Sequence, residues 1–205
     1  METIDVPLVD YGVAKFVLPG QTESGDHHLV CCRDKDALLV AAIDGIGHGE
    51  EAAHAAKEAV AILKSGVDEP IISLVEHCHE KLRTTRGVAL SVASIDPAHG
   101  MMTWLGVGNV PGALMRCRSS KGKMQEMLLL RAGVVGGQLP ALQAAVLPVS
   151  QGDTLFFVTD GVRNDCFESL SALEAPQRAA DRILDRFRSG IDDALVLVAR
   201  LTGIR

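Results

Sequence analysis

Residues 37–66 read ALLVAAIDGIGHGEEAAHAAKEAVAILKSG, and this stretch decides the fold. Its first part, residues 37–44, is a continuous apolar run, which predicts a strand buried on both faces. Its second part, residues 50–66, is rich in alanine at helical spacing and ends in glycine, which predicts a helix. The strand therefore delivers the carboxylate of Asp44 to the rim of a sheet, just before a helix begins.

The rest of the chain divides into further strands and helices. In order, the sequence predicts edge strands (residues 4–17), a strand resuming at His27-His28, a second helix (70–82), a run of short strands (87–149), a strand (152–160), a helix (170–188) and a final strand (191–201). Because the strands and helices are segregated, the fold class is expected to be α+β, with two sheets faced by helices. No linker or repeat interrupts the pattern, so residues 1–205 are expected to form a single domain.

Composition narrows the classes of function. The net charge is −6 and aromatic residues make up 3% of the chain, which argues against binding of nucleic acid. No apolar run reaches the length of a membrane span, and no signal peptide opens the chain. Five cysteines without CxxC spacing are typical of reduced thiols. We therefore expect a cytoplasmic protein with no role in a membrane.

Two further acidic pairs occupy the same setting as Asp44-Gly45. Asp160-Gly161 follows the apolar run TLFFVT, and Asp192-Asp193 opens the last strand. Any one such pair is a weak signal, since Asp-Gly commonly begins a turn. Three carboxylates at the edges of sheets can converge to bind hard divalent cations. Such oxygen ligands suit Mg²⁺ or Mn²⁺. The pattern favours metal-assisted hydrolysis, most simply of a phosphate ester.

Local geometry refines these candidates. Gly45 has no Cβ, so its carbonyl oxygen is able to approach a metal ion closely. Adjacent side chains on a strand point in opposite directions, so at most one of Asp192 and Asp193 is expected to reach the metals. His27-His28 lacks partners at zinc spacing and is not expected to bind zinc. Nothing in the sequence lowers the pKa of Cys166, which disfavours a cysteine-based phosphatase.

The order of short motifs along the chain resembles the metal-dependent PPM protein phosphatases, and most closely the SpoIIE-type bacterial branch. The motifs are SGD (24–26), DGIGHG (44–49), TRG (85–87), GVGNVPG (106–112), GDTLFFVTDG (152–161) and DDALVLV (192–198). Compact length and the TRG segment are most similar to the RsbX-like stressosome phosphatases. The resemblance implies a four-layer α-β-β-α sandwich of two mainly antiparallel sheets flanked by helices.

The same resemblance implies roles for individual residues. Asp44 and Asp160 would be the central catalytic aspartates, with Asp44 bridging two metal ions. Gly45 would bind one ion through its carbonyl oxygen, and Asp192 would join Asp160 at the second ion with Asp193 supporting it. Asp26 would lie near the metals or at a third site. Gly108 and Asn109 would shape the adjacent loop. Some relatives place a proton-donating histidine two residues after the first aspartate. In this chain Ile46 occupies that position. His48 is therefore a candidate general acid, although a structural role in the loop is favoured for it.

The function implied is hydrolysis of phosphoserine or phosphothreonine by water activated between two Mn²⁺ or Mg²⁺ ions, with a third ion left open. The implied substrate is a phosphorylated STAS-domain protein of a stressosome or another partner-switching system. Two alternatives stay open. Ile46 and the lack of an arginine before Asp26 are compatible with a non-catalytic interaction module that retains the fold. A hydrolase of small phosphomonoesters would use the same carboxylates.

Overall fold

Two β-sheets face each other in the computed structural model, which describes residues 8–33, 37–117 and 125–204. The strands are β1 (Val9–Phe16), β2 (Asp26–Arg33), β3 (Ala37–Gly45), β4 (Val88–Asp96), β5 (Met101–Val107), β6 (Gly112–Met115), β7 (Gln125–Met127), β8 (Leu130–Arg131), β9 (Ala145–Pro148), β10 (Thr154–Val158) and β11 (Ala194–Leu201). The helices are α1 (Glu50–Ser65), α2 (Ile71–Leu82) and α3 (Pro176–Phe187), with a 3-10 helix at Asn164–Ser169.

The first sheet has the order β1-β11-β10-β6-β7, and the second has the order β2-β3-β4-β5-β8 with β9 also paired to β5. All strand pairs are antiparallel except β5 with β8. In the first sheet β1 and β11, which lie near opposite ends of the chain, pair along their whole length, from Val9 with Leu201 to Phe16 with Ala194. The predicted α+β class and sandwich of two mainly antiparallel sheets are confirmed.

Alternation of side chains explains why the central strands are apolar throughout. In β3, Val40 and its even-numbered neighbours face the other sheet, while Ile43 and its odd-numbered neighbours face α1 and α2. In β11, Leu197 points between the sheets and Val196 points toward α3. Each of these strands is covered on both faces, as predicted for residues 37–44. The helices thus form the two outer layers of the sandwich.

The helix predicted over residues 170–188 is shorter in the structure. It begins at Pro176, and the preceding residues form turns after the 3-10 helix. Proline fits the first position of a helix and disfavours helical conformation in the residue before it, here Ala175. The predicted edge strand over residues 4–17 is found as β1, and residues 4–7 lie outside the described ranges. Within the described part of the chain, no helix is long and apolar enough to cross a membrane.

Candidate metal centre

The second sheet contributes two aspartates from neighbouring strands. Asp44 is the next-to-last residue of β3, and Asp26 is the first residue of β2. The antiparallel register pairs these two residues directly across the strands. Asp26 is 2% exposed, whereas Asp44 is half-buried. The end of this sheet therefore presents two adjacent carboxylates.

The first sheet delivers its carboxylates to the same end of the molecule. β10 ends at Val158, two residues before Asp160, and β11 begins at Ala194, directly after Asp193. Val158 pairs with Val196, so the end of β10 lies beside the start of β11. We call Asp26, Asp44, Asp160, Asp192 and Asp193 the carboxylate cluster.

Hydrogen bonds join the loops of the two sheets around this cluster. Asp193 accepts one bond from the backbone of Leu18 at 2.8 Å and a second from the backbone of Gly25 at 2.7 Å. The Gly25 carbonyl in turn accepts a bond from the backbone of Gly45 at 3.1 Å. The loop before β11 is thereby tied to the loop that carries Asp44.

Asp192 and Asp193 have different environments, as predicted, although the reason differs from the predicted one. They lie in a bend before β11, so strand alternation does not separate them. Asp193 is 3% exposed and uses both carboxylate oxygens on backbone amides. Asp192 is half-buried and accepts a bond from the Asp193 backbone at 2.8 Å through Oδ1. Asp193 therefore ties the loops together. In Asp192 only Oδ1 accepts this bond, so Oδ2 remains for another partner.

In the carboxylate cluster, burial and neighbouring carboxylates disfavour the charged form of three aspartates. Burial, and then the negative charges of Asp26 and other cluster members, raise the pKa of Asp44 to about 9. Burial also raises the pKa of Asp26 to about 7, against the opposing effect of the Thr159 hydroxyl. The pKa of Asp160 is raised by burial and by Asp192. Carboxylates that raise one another's pKa in this way are stabilised in their charged form by bound cations.

This donor set fits Mg²⁺ or Mn²⁺ better than zinc, because it consists of carboxylate and carbonyl oxygens. Among the residues that the structure describes, no group of three or more His, Cys, Asp and Glu side chains is placed to hold an ion. Mg²⁺ commonly keeps several waters and takes only one or two carboxylates from the protein, so a magnesium site does not require such a group. Burial lowers the pKa of His27 and of His28 to about 4.

Two glycines allow the loops to pack closely around the cluster. A Cβ on Gly45 would lie 2.1 Å from the carbonyl oxygen of Ala52, in the first turns of α1. A Cβ on Gly161 would lie 1.9 Å from the carbonyl oxygen of Asp193. Any side chain at either position would force the backbone apart. The glycine of each Asp-Gly pair is therefore required by packing.

The remaining predicted positions differ in their relation to the cluster. Asn109 donates a hydrogen bond from its amide to Asp160, so it contacts the cluster directly. Gly108, at φ +91°, turns the chain into Asn109, and its N–H donates to the Arg131 carbonyl at 2.8 Å. His48 is exposed, and its Nδ1 lies 3.2 Å from the side-chain nitrogen of Gln21. Of these three, only Asn109 has a hydrogen bond to a cluster carboxylate.

Two contacts to the cluster were not predicted. Thr159 is fully buried and donates its hydroxyl to Asp26 at 2.6 Å. Lys15 donates from Nζ to the backbone carbonyl of Asp26 at 3.2 Å. A hydroxyl residue directly before Asp160 in an apolar strand is a signal that could have identified Thr159. Lys15 lies on β1, far away in sequence, and no local pattern indicates it.

A cavity of about 480 Å³ adjoins the loop after Asp44. It is lined by Glu50, Glu51, His54, Thr84, Thr85 and Arg86. Arg86 forms an ion pair with Glu51, and its guanidinium lies against Gly47, since a Cβ on Gly47 would be 2.8 Å from Nη1. The next residue, Gly87, accepts a hydrogen bond from the backbone of Ile46 at 3.1 Å. The TRG segment is thus attached to the DGIGHG loop and leaves space beside it.

Cys166 offers no alternative nucleophile. The side chain is fully buried, and burial raises the pKa of its thiol to about 12. Cys78 is also fully buried, with its pKa likewise raised to about 12. Thiols of this kind remain protonated and unreactive at neutral pH.

Comparison with known proteins finds relatives in sequence and in fold. The phosphoserine phosphatase RsbX of Bacillus subtilis (strain 168) is 24% identical over 143 residues, which cover 70% of this chain and 69% of that protein. A structure reported for the bacterial stressosome, a modular system adapted to control secondary messenger signalling, is 26% identical, with a TM-score of 0.83 over 94% of this chain and 99% of that one. The structure of RsbX in complex with magnesium has the same fold, with 20% identity and a TM-score of 0.83 over 97% of this chain and 98% of that one.

The family model described as stage II sporulation protein E (SpoIIE) matches residues 34–202. That range contains Asp44, Asp160 and Asp192, together with α1–α3 and all strands from β3 to β11. The match covers most of the chain, and the chain therefore belongs to the SpoIIE family.

Proposed function

We propose that this protein is a metal-dependent serine/threonine protein phosphatase. The observation that carries the proposal is the carboxylate cluster, in which burial and neighbouring carboxylates raise the pKa of Asp44 and of Asp160. A cluster with so little compensating positive charge is costly in a protein that has no use for cations. Membership in the SpoIIE family and the phosphatase activity named for RsbX support the reaction type.

Two Mn²⁺ or Mg²⁺ ions are the proposed cofactors, with a third left open. Asp44 and the Gly45 carbonyl would hold one ion. Asp160 and Asp192 would hold the other ion, which would also share Asp44. Asp26 would lie near both ions or hold a third. When bound, such ions acidify water and offset negative charge on phosphoryl oxygens. The RsbX structure with magnesium supports the choice of metal.

The side chains around these ligands have positioning roles in the proposed reaction. Asn109 fixes the orientation of Asp160 through its amide, and Thr159 fixes Asp26 through its hydroxyl. Asp193 holds the loops of the two sheets at a constant separation. We assign His48 to the loop rather than to proton transfer, because its Nδ1 faces Gln21 on the exposed side. Water would then protonate the leaving oxygen.

The proposed substrate is phosphoserine or phosphothreonine on a STAS-domain protein of a stressosome or partner-switching system. Support comes from two comparisons, the relative named as a phosphoserine phosphatase and the structure reported for the stressosome. We place the reaction in the cytoplasm. All five cysteines are free, including the neighbours Cys31 and Cys32, as is usual in a reducing compartment.

The test is turnover of a phosphoserine peptide and of p-nitrophenyl phosphate with Mn²⁺, with EDTA, and in Asp44→Asn and Asp160→Asn. We expect EDTA and either substitution to abolish turnover of both compounds. Asp10→Asn is the matched control, because Asp10 is exposed on β1 and is not part of the cluster. Full activity in EDTA, or in both cluster variants, would exclude the metal-dependent reaction.

Two other results would reassign the protein. Tight binding of Mn²⁺ without turnover of any phosphopeptide would favour the non-catalytic interaction module. Turnover confined to the small aryl phosphate, with no activity on phosphoserine peptides, would favour a hydrolase of small phosphomonoesters.

A further inference from the structure

Three arginines lie on the two segments of the first sheet's side that adjoin Asp160 and Asp192 along the chain. Arg163 follows Asp160 by three residues, Arg186 is in the last turn of α3, and Arg188 directly follows that helix. Backbone hydrogen bonds join the two segments, from Arg163 to the Phe187 carbonyl at 2.9 Å and from Ser189 to the Gly161 carbonyl at 2.8 Å. We call Arg163, Arg186 and Arg188 the arginine cluster.

Aromatic rings hold these guanidinium groups in place. Arg163 and Arg186 both lie over the ring of Phe187, at 5.6 Å and 5.3 Å from its centroid. Arg188 lies over the ring of Phe16 at 5.0 Å. The chain has five phenylalanines, one tryptophan and one tyrosine, and two of these seven rings, which also pack in the core beneath α3, contact the arginine cluster. A ring positions a guanidinium while leaving its charge and its N–H donors available to another anion.

The positive charge of the arginine cluster is little compensated. Arg163 lies 3.4 Å from Asp165, but both side chains are about half exposed, at 51% and 56%, and such pairs are weak. Arg186 and Arg188 form no ion pair with any residue that the structure describes. The C-terminal end of α3 accounts for part of this positive charge, since Arg186 is in its last turn and Arg163 donates from Nη2 to the Arg186 carbonyl at 3.4 Å. In a chain of net charge −6, a cationic cluster of this kind is a specific local feature.

One apolar side chain accompanies the three charges. Ile191 lies between Arg188 and Asp192 and is 82% exposed. Arginines beside an exposed apolar residue are common in surfaces that bind another protein. The carboxylates at the same end of the molecule, and the overall negative charge, would repel an anionic membrane.

We propose that the arginine cluster binds an acidic segment of the phosphoprotein substrate, next to the phosphorylated residue. This inference rests on the proposed phosphatase function. It adds that the site selects substrates with negative charge beside the phosphorylated residue. Acidic side chains of the substrate would pair with Arg163, Arg186 and Arg188, while Ile191 would contact an apolar neighbour. The phosphate would then lie toward the carboxylate cluster.

The test compares two phosphoserine peptides that differ only in their flanking residues, glutamates in one and glutamines in the other. The unmodified protein should turn over the glutamate peptide with a KM roughly tenfold lower at low salt, as expected from two or three exposed ion pairs. The preference should shrink as salt is raised. In the double variant Arg186→Gln/Arg188→Gln the preference should disappear, while kcat and turnover of p-nitrophenyl phosphate stay unchanged.

The matched control is Lys64→Gln/Arg178→Gln, which changes the net charge equally. Lys64 lies at the end of α1 and Arg178 near the start of α3, so both are exposed at positions outside the arginine cluster. This control should keep the full preference for the glutamate peptide. A second double variant, Arg186→Lys/Arg188→Lys, keeps the charge and should retain an intermediate preference.

Several results would overturn the inference. These are equal KM values for the two peptides, a preference that survives in the glutamine double variant, and an equal loss of p-nitrophenyl phosphate turnover. If the unmodified protein turns over neither peptide, the proposed function fails, and fluorescence anisotropy of the same labelled peptides still decides whether the arginine cluster binds acidic segments. Binding to phosphatidylserine vesicles that requires Arg186 and Arg188, without any peptide preference, would assign the cluster to a membrane instead.

Discussion

The hydroxyl of Thr159 donates a hydrogen bond to the carboxylate of Asp26 at 2.6 Å, and this contact spans the two sheets of the sandwich. Thr159 directly follows β10 in the first sheet, and Asp26 begins β2 in the second. The same hydroxyl accepts a bond from the backbone of Leu195 at 2.8 Å. One buried oxygen therefore links a cluster carboxylate to the strand that follows Asp192 and Asp193.

Thr159→Val should weaken both stability and metal binding. Valine keeps the shape but leaves the Leu195 amide and the Asp26 carboxylate without this partner, which costs about 1–3 kcal/mol of unfolding free energy. The pKa of Asp26 should rise further, because the Thr159 bond opposes its increase. Urea unfolding and calorimetric titration with Mn²⁺ measure the two effects.

Thr154→Val is the control, since Thr154 is equally buried at the other end of β10 and donates only to the Gly152 carbonyl at 3.2 Å. Its metal affinity should not change. Equal loss of metal affinity in both variants would contradict a specific role for Thr159.

The metal-free protein should become less stable as pH rises. The folded-state pKa values of Asp26 and Asp44, about 7 and about 9, lie above the roughly 3.9 of an unfolded aspartate, so the native state binds more protons between these values. The contribution of these two groups to the unfolding free energy in EDTA should therefore be full below about pH 4, and it should be lost as pH rises through about 7 and about 9. Thermal unfolding across this range measures the trend.

Excess Mn²⁺ should reverse that dependence, because metal binding favours the deprotonated carboxylates and releases their protons. Asp44→Asn should flatten the alkaline part of the EDTA curve. A metal-free protein whose melting temperature does not fall between pH 6 and pH 9 would show that these carboxylates are already charged.

Gly45→Ala should disrupt the packing of α1 on the loop that carries Asp44. Its Cβ would lie 2.1 Å from the Ala52 carbonyl oxygen, and relief of such overlap costs about 1–3 kcal/mol or more. We expect a lower melting temperature and loss of Mn²⁺ binding. Gly137→Ala is the control, because its nearest neighbour would be the Val134 side chain at 3.3 Å. A Gly45→Ala protein with unchanged unfolding and metal affinity would refute the packing argument.

Asn109→Ala should weaken metal binding with little effect on stability. Asn109 is exposed, and the lost hydrogen bond is the one that orients Asp160. Loss of a residue that orients a metal ligand lowers metal affinity by about 10- to 100-fold. Asn164→Ala, at an exposed position in the loop after Asp160, is the comparison and should bind Mn²⁺ normally. Equal affinities in the two variants would remove Asn109 from the centre.

Sequence patterns predicted well those features that depend on local order. The apolar run of residues 37–44 predicted a strand buried on both faces, and glycine at the end of residues 50–66 predicted the end of α1. The helix predicted over residues 170–188 was too long. The amphipathic pattern did not indicate that Pro176 determines where the helix begins.

Contacts between distant segments were beyond local patterns. Thr159 and Asp26 are brought together only by the packing of two sheets, and so are Lys15 and Asp26. The division between Asp192 and Asp193 was predicted, but it results from the Leu18 and Gly25 amides that occupy Asp193. Their roles in binding metal stay predictions.

Pairing of β1 with β11 also limits when the protein can become active during synthesis. Val9 pairs with Leu201 and Phe16 with Ala194, so the first sheet is incomplete until the last strand has left the ribosome. Asp160 and Asp192 depend on that sheet, whereas Asp26 and Asp44 belong to strands made much earlier. A nascent chain would thus carry two of the five carboxylates of the cluster for most of its synthesis. The proposed phosphatase activity should therefore appear only after β11 has left the ribosome and paired with β1.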